Sequence, residues 1–221
     1  EAPRVADHLS AEAAEHFEVV MRGPDGPATV IARHVVVGIG TAPVVPEVLQ
    51  LASVAPADSA SVIHSADYSP NRERVRRAGS VTVVGSGQSG AEIVADLLEA
   101  NLAGGPAVRW WTRTGWFAPL DFTKLSLEMT TPAYMEYFHA LPEATRDEVR
   151  KGHWQFHKGV SADTLARIHD LLYRRELHGK LPAVQLRNGV TIEGIEPIAD
   201  GGLRVRGRHH DTGKLLSHNT D

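Results

Sequence analysis

Between Ser80 and Arg113 the chain reads as β-strand, glycine loop, α-helix and second strand, and few folds accept that order. Val81-Thr82-Val83-Val84 is apolar and β-branched, as a short covered strand requires. It runs directly into Gly85-Ser86-Gly87-Gln88-Ser89-Gly90, a complete G-x-G-x-x-G. Ala91 to Leu98 follows with helical spacing of Ile93, Val94, Leu97 and Leu98, and Val108-Arg109-Trp110-Trp111 forms the next strand. Each glycine has a task in a dinucleotide fold. Gly85 permits the tight turn, Gly87 lets the backbone approach a pyrophosphate, and Gly90 lets the helix pack on the strand. The free N–H groups and the positive end of the helix then attract phosphate.

The end of the second strand selects the dinucleotide. NAD-binding folds place an Asp or Glu there, about 20 residues past the glycines, to hold the ribose 2′-hydroxyl. This chain has Thr112-Arg113-Thr114. An arginine flanked by hydroxyls suits a 2′-phosphate, so NADPH is expected over NADH.

Around this unit the pattern changes repeatedly. Residues 17–22 and 28–38 flank a Pro-Asp-Gly-Pro turn and predict paired strands. The apolar run Val35-Val36-Val37 predicts a strand covered on both faces, and Pro43 and Pro46 mark an exit from it. Residues 52–72 are irregular in pattern, and Arg72 to Arg77 suggests a solvated helical turn. Residues 115–125 are loop-like, whereas 126–180 predict about three helices cut at Pro132, Pro142 and Lys158-Gly159. The last helix shows one apolar face at Leu165, Ile168, Leu171 and Leu172. From 184 onward short β segments return, with turns at Asp200-Gly201-Gly202 and Asp211-Thr212-Gly213. The expected fold class is α/β: a Rossmann-like nucleotide domain over 47–185, with its helical segment at about 115–180, inserted between β segments 1–46 and 186–221.

Composition excludes several functions. The net charge of −4 and the lack of a basic run argue against nucleic acid and anionic membrane. No stretch approaches the ~20 apolar residues of a membrane span, and residues 1–10 lack the regions of a signal peptide. There is no cysteine, which removes thiol catalysis and thiolate metal sites and suits a cytoplasmic location. His153 and His157 are four apart and His209-His210 adjacent, but neither set has carboxylates at ligand spacing, so no metal site is expected. Asp121, Lys124 and Glu128 make a charged group whose plain reading is a solvated helix start, with Asp121 or Thr123 as cap. Lys158 is either a cation at a helix C-terminus or a phosphate ligand.

Four segments together resemble the flavin-dependent N-hydroxylating monooxygenases of siderophore biosynthesis, the lysine N6- and ornithine N5-monooxygenase family. They are Gly38-Ile39-Gly40-Thr41-Ala42-Pro43 with Pro46, His64-Ser65-Ala66-Asp67-Tyr68, the glycine loop through Glu92, and the run from Trp110 to Pro142. The resemblance implies that NADPH reduces FAD, that the reduced flavin activates O2, and that one oxygen passes to a neutral terminal amine. It implies NADPH contacts at Gly85, Ser86, Gly87, Gln88, Ser89 and Gly90, an adenosine-end contact at Arg113, and a supporting one at Lys158. Lys124 and Glu128 would face the amine substrate. Ornithine-type relatives carry an Asn-Glu pair where this chain has Leu127-Glu128, which favours lysine or a diamine such as cadaverine. The family also carries an FAD-binding glycine loop near its N-terminus and a late Ala-Thr-Gly segment, and this chain has neither. The implied reading is therefore a fragment: an NADPH domain with flanking parts of an FAD domain, inactive alone, from a homo-oligomeric (often tetrameric) family. A non-catalytic NADP(H)-binding module and another flavin monooxygenase are the alternatives.

Overall fold

The computed structural model describes residues 16–38, 40, 42–50, 62–199 and 201–221. Expectations that fall on residues 1–15, Ile39, Thr41, 51–61 and Asp200 lie outside it. The chain divides into two compact units, Glu1–Ala42 and Pro43–Asp221.

In the first unit, β1 (Phe17–Gly23) and β2 (Gly26–Ala32) form the expected antiparallel hairpin around Pro24-Asp25. Gly26 takes φ of +103°, a conformation open to glycine. The strand ends at Ala32, six residues short of the expectation. Val36 and Val37 are 94% and 73% exposed. A strand needs a neighbour for its backbone N–H and C=O groups, and among the described residues none pairs with 35–37.

The second unit opens with α1 (Glu47–Gln50) and α2 (Tyr68–Arg76). Then β3 (Ser80–Val84), α3 (Gln88–Leu102) and β4 (Ala107–Trp111) make the anticipated β-α-β unit, its strands parallel. The turn out of α3 is a Schellman cap: the Gly104 and Gly105 amides donate to Asn101 O (3.0 Å) and Ala100 O (2.8 Å), with Gly104 at φ +84°. Two surface helices follow, α4 (Pro132–Ala140) and α5 (Glu143–Gly152), then α6 (Ala162–Glu176). Next, β5 (Val184–Arg187) joins β4 in parallel, giving a sheet in the order β3-β4-β5. The expected domain border at 185/186 thus falls inside β5.

The register gives this sheet two unlike faces. Val81, Val83, Val108, Trp110, Val184 and Leu186 share one face and pack under α3 and α6 with Val94, Leu97, Leu98, Ile168 and Leu171. The opposite face presents Thr82, Arg109 and Trp111. An antiparallel meander of β6 (Val190–Pro197), β7 (Leu203–His209) and β8 (Leu215–Thr220) covers it. Trp111 is 2% exposed there, against Val190 and Val205. Residues 190–220 thus pack on this sheet over Trp111.

Candidate functional site

The carboxyl end of β3 and the start of α3 shape the glycine loop. Gly85 has φ of +121°, a region closed to other residues without strain. Its N–H donates to Trp111 O (2.9 Å), and its carbonyl accepts from Trp110 Nε1 (2.6 Å), so β4 holds the turn from both sides. A Cβ on Gly90 would lie 3.2 Å from Gly85 O, which explains the third glycine as a close helix-to-turn contact. A Cβ on Gly87 would meet nothing within 4 Å. Gly87 is the N-cap of α3, and no side chain caps it. Ala91 is the first amide to bond back, to Gly87 O (3.1 Å), so the amides of Gln88, Ser89 and Gly90 precede the helical ladder. A fifteen-residue helix thus begins at an open, uncapped turn, which is what an anion needs.

That turn lines a cavity of about 1140 Å³. Gly85, Gly87, Gln88, Ser89 and Gly90 form one side, and Leu120, Phe156, His157 and Gly159 form another. The volume and the mixed apolar and backbone-polar lining suit a dinucleotide-sized ligand. The stretch that carries Leu120 and Gly159 is firmly joined: Leu120 N–H donates to Val160 O (2.8 Å) and Val160 N–H to Ala118 O (3.0 Å). Gly159 is required there, because a Cβ would come within 2.9 Å of Leu120 N and Pro119 C.

The structure brings some of the expected residues together and leaves others apart. Thr114 Oγ1 lies 3.0 Å from Ser86 Oγ and 2.8 Å from Thr112 Oγ1, which ties the end of β4 to the glycine loop. Arg113 stands between those threonines, exposed, with no ion pair or hydrogen bond from its guanidinium among the described residues. Gln88 does not offer a free side chain: its carboxamide reaches Glu92, Ser161 and Thr164. Lys158 is exposed and does not line the cavity, although its neighbours His157 and Gly159 do. Lys124 and Glu128 are exposed and also lie off the cavity lining. Asp121 is not a helix cap, since the 3-10 turn Ser126–Thr130 starts after Leu125 with no side-chain cap; it accepts from Thr123 N–H (3.0 Å) and Ser126 Oγ (2.7 Å), and those bonds hold its carboxyl below the usual range. His153 is bonded to the Tyr134 hydroxyl (2.9 Å), and among the described residues no three His, Asp or Glu side chains gather as a metal site.

Two features escaped the sequence. The Trp110 indole bond to Gly85 O has no local signal, since 25 residues separate its partners. The other is a polar knot where α2 meets α3: Asp96 accepts from Tyr68 Oη (2.7 Å) and from the Arg72 guanidinium. Burial raises the Asp96 carboxyl, but the bonds from Arg72 and Tyr68 outweigh it and hold it below its ordinary value. Burial, then the Asp96 bond, push the Tyr68 phenol up. Tyr68 ends the His64–Tyr68 segment, and its hydroxyl pins that segment to α3 beside the cavity.

The fold and loop define an α/β protein built on a Rossmann-like β-α-β unit. The chain belongs to the L-lysine 6-monooxygenase/L-ornithine 5-monooxygenase family, whose sequence profile matches residues 3–221. It is 32% identical over 98% of its length to the rhizobactin siderophore biosynthesis protein RhbE of Rhizobium meliloti, covering 48% of that protein. It is 36% identical over 83% of its length to a putrescine N-hydroxylase of Shewanella oneidensis, covering 35% of it. The FAD-bound cadaverine monooxygenase DfoA of Erwinia amylovora superposes with a TM-score of 0.80 at 32% identity, over 93% of this chain and 47% of that one. The chain thus spans half or less of the length of each of these relatives.

Proposed function

We propose that this chain is the NADPH-binding part of an FAD-dependent amine N-hydroxylase of siderophore biosynthesis, acting on L-lysine or a related diamine such as cadaverine. The observation that carries the reading is the uncapped start of α3 at Gly87, open to the cavity. Arg113 is exposed and off the cavity lining, next to Thr114, which bonds Ser86 of the loop. The backbone of Gly85, Ser86, Gly87, Gln88, Ser89 and Gly90 would hold the pyrophosphate, and Arg113 the 2′-phosphate. Lys158, off the cavity lining, would reach the nucleotide only from its rim. The amine would approach from the side of Lys124 and Glu128. These residues fit NADPH; the chain carries a single G-x-G-x-x-G, so no second cradle for FAD is assigned to it. When bound, the two cofactors supply hydride transfer and oxygen activation, and this chain's own residues bind and orient the nicotinamide nucleotide. The diamine preference is supported by Leu127-Glu128 and by the likeness to putrescine and cadaverine enzymes. A cytoplasmic, homo-oligomeric enzyme is part of the same reading; no helix among the described residues is long and apolar enough to cross a membrane.

The test is made at full family length, with this chain in place. NADPH-coupled hydroxylamine formation is measured with cadaverine, putrescine, lysine and ornithine in turn. Cadaverine or lysine is expected to lead and ornithine to be poorest. Formation with none of the amines would contradict the hydroxylase reading. A second expectation is that the 221-residue chain alone binds NADPH yet forms no hydroxylamine.

A further inference from the structure

The Gln88 side chain occupies an unusual position for a residue of a phosphate loop. Its Oε1 accepts from the Ser161 N–H (2.8 Å), at the N-cap of α6. Its Nε2 donates to Thr164 Oγ1 (3.0 Å) and to Glu92 Oε1 (2.8 Å). Thr164 is in turn bonded to the Ser161 hydroxyl (2.8 Å). Both the oxygen and the nitrogen of this carboxamide are therefore engaged between α3 and α6.

The tie also reaches the segment that carries other lining residues. Ser161 directly follows Val160, which is fully buried and paired with Ala118 and Leu120. That pairing fixes the wall made by Leu120, Phe156, His157 and Gly159. One end of the Gln88 link is thus the glycine loop, and the other is the Val160-Ser161 step that follows Gly159 of the cavity lining. We propose that Gln88 is a positioning residue, whose carboxamide sets the width of the nucleotide groove by locking the N-termini of α3 and α6 together. The phosphate contact at position 88 comes from the backbone amide alone. This inference rests on the nucleotide reading given above and refines one of its residues.

NADPH titration of the 221-residue chain is run for the wild type, Gln88→Ala, Thr164→Val and their double variant, with circular dichroism melting to verify folding. Gln88→Ala is expected to raise Kd about tenfold, the scale of one or two lost hydrogen bonds. Thr164→Val, remote from phosphate, should weaken binding alone and add nothing in the Gln88→Ala background. Additive effects of Gln88→Ala and Thr164→Val, or a Thr164→Val chain that binds NADPH as tightly as the wild type, would overturn the clamp and restore a side-chain contact with phosphate. A wild-type chain that binds no NADPH would instead overturn the nucleotide reading itself, and the clamp's role with it.

Discussion

The helix that leaves the glycine loop and the helices that follow Pro132 are built on different terms. In α3, Ala91, Val94, Ala95, Leu97, Leu98, Ala100 and Asn101 are all buried, and α6 adds Ile168 and Leu171 against them. In α4 and α5 no residue is buried, and Met135 and Tyr137 are 59% and 57% exposed. The 116–129 stretch before them also shows Trp116, Phe122 and Leu125 to solvent. The β-α-β unit is thus held by its own core, while the helical segment meets that core through Val160 and Phe117 and is otherwise tied within itself by the Asp121–Ser126 and Tyr134–His153 bonds. Buried area is what makes a segment intolerant of change, so the first region is committed to one geometry and the second is free to vary.

Substitution should expose that contrast most strongly in stability. Leu97→Ala, at a position fully shielded from solvent, is expected to cost about 2–5 kcal/mol, read from denaturant midpoints. Met135→Ala should fall within about 0.5 kcal/mol of wild type. Similar losses at the two positions would break the comparison.

A smaller effect should appear on the other face of the sheet. His218 bonds through Nε2 to Thr82 Oγ1 (2.7 Å), meets the edge of Trp111, and has a buried Nδ1 without a partner. Burial, with Arg109 and Arg187 nearby, lowers its pKa to about 4 from an ordinary 6.5. Between those values the unfolded chain binds a proton that the folded chain refuses. Stability from this group is therefore complete above about pH 6.5 and lost as the pH falls toward 4. Melting temperatures of wild type against His218→Gln across that window are the check. The variant should show the shallower acid slope; equal slopes would remove His218 from the account.

How far the sequence could be read follows the same division. The β-α-β unit was legible because its signals are local: β-branched strands, glycines at fixed spacing, and apolar residues repeating along α3 and α6. The cuts at Pro132 and Pro142 were legible for the same reason, since proline cannot continue a helix. What escaped depends on partners distant in sequence. β5 pairs with a strand some 75 residues earlier, and the Gln88–Ser161 bond spans 73 residues. Val35–Val37 looked like a covered strand, yet composition alone cannot supply the neighbour a strand needs. At the site, glycine spacing located the loop, but it could not tell that the Gln88 side chain is already engaged or that Lys158 lies off the cavity lining.

The central claim is that the loop at Gly85–Gly90, with Arg113 beside it, is an NADPH site. Isothermal titration of the chain with NADPH and NADH, repeated on Arg113→Ala, tests it most directly. NADPH should bind at least about tenfold more tightly than NADH, and Arg113→Ala should abolish most of that preference while leaving NADH nearly unchanged. Equal affinity for the two nucleotides, or a preference that survives Arg113→Ala, would contradict it.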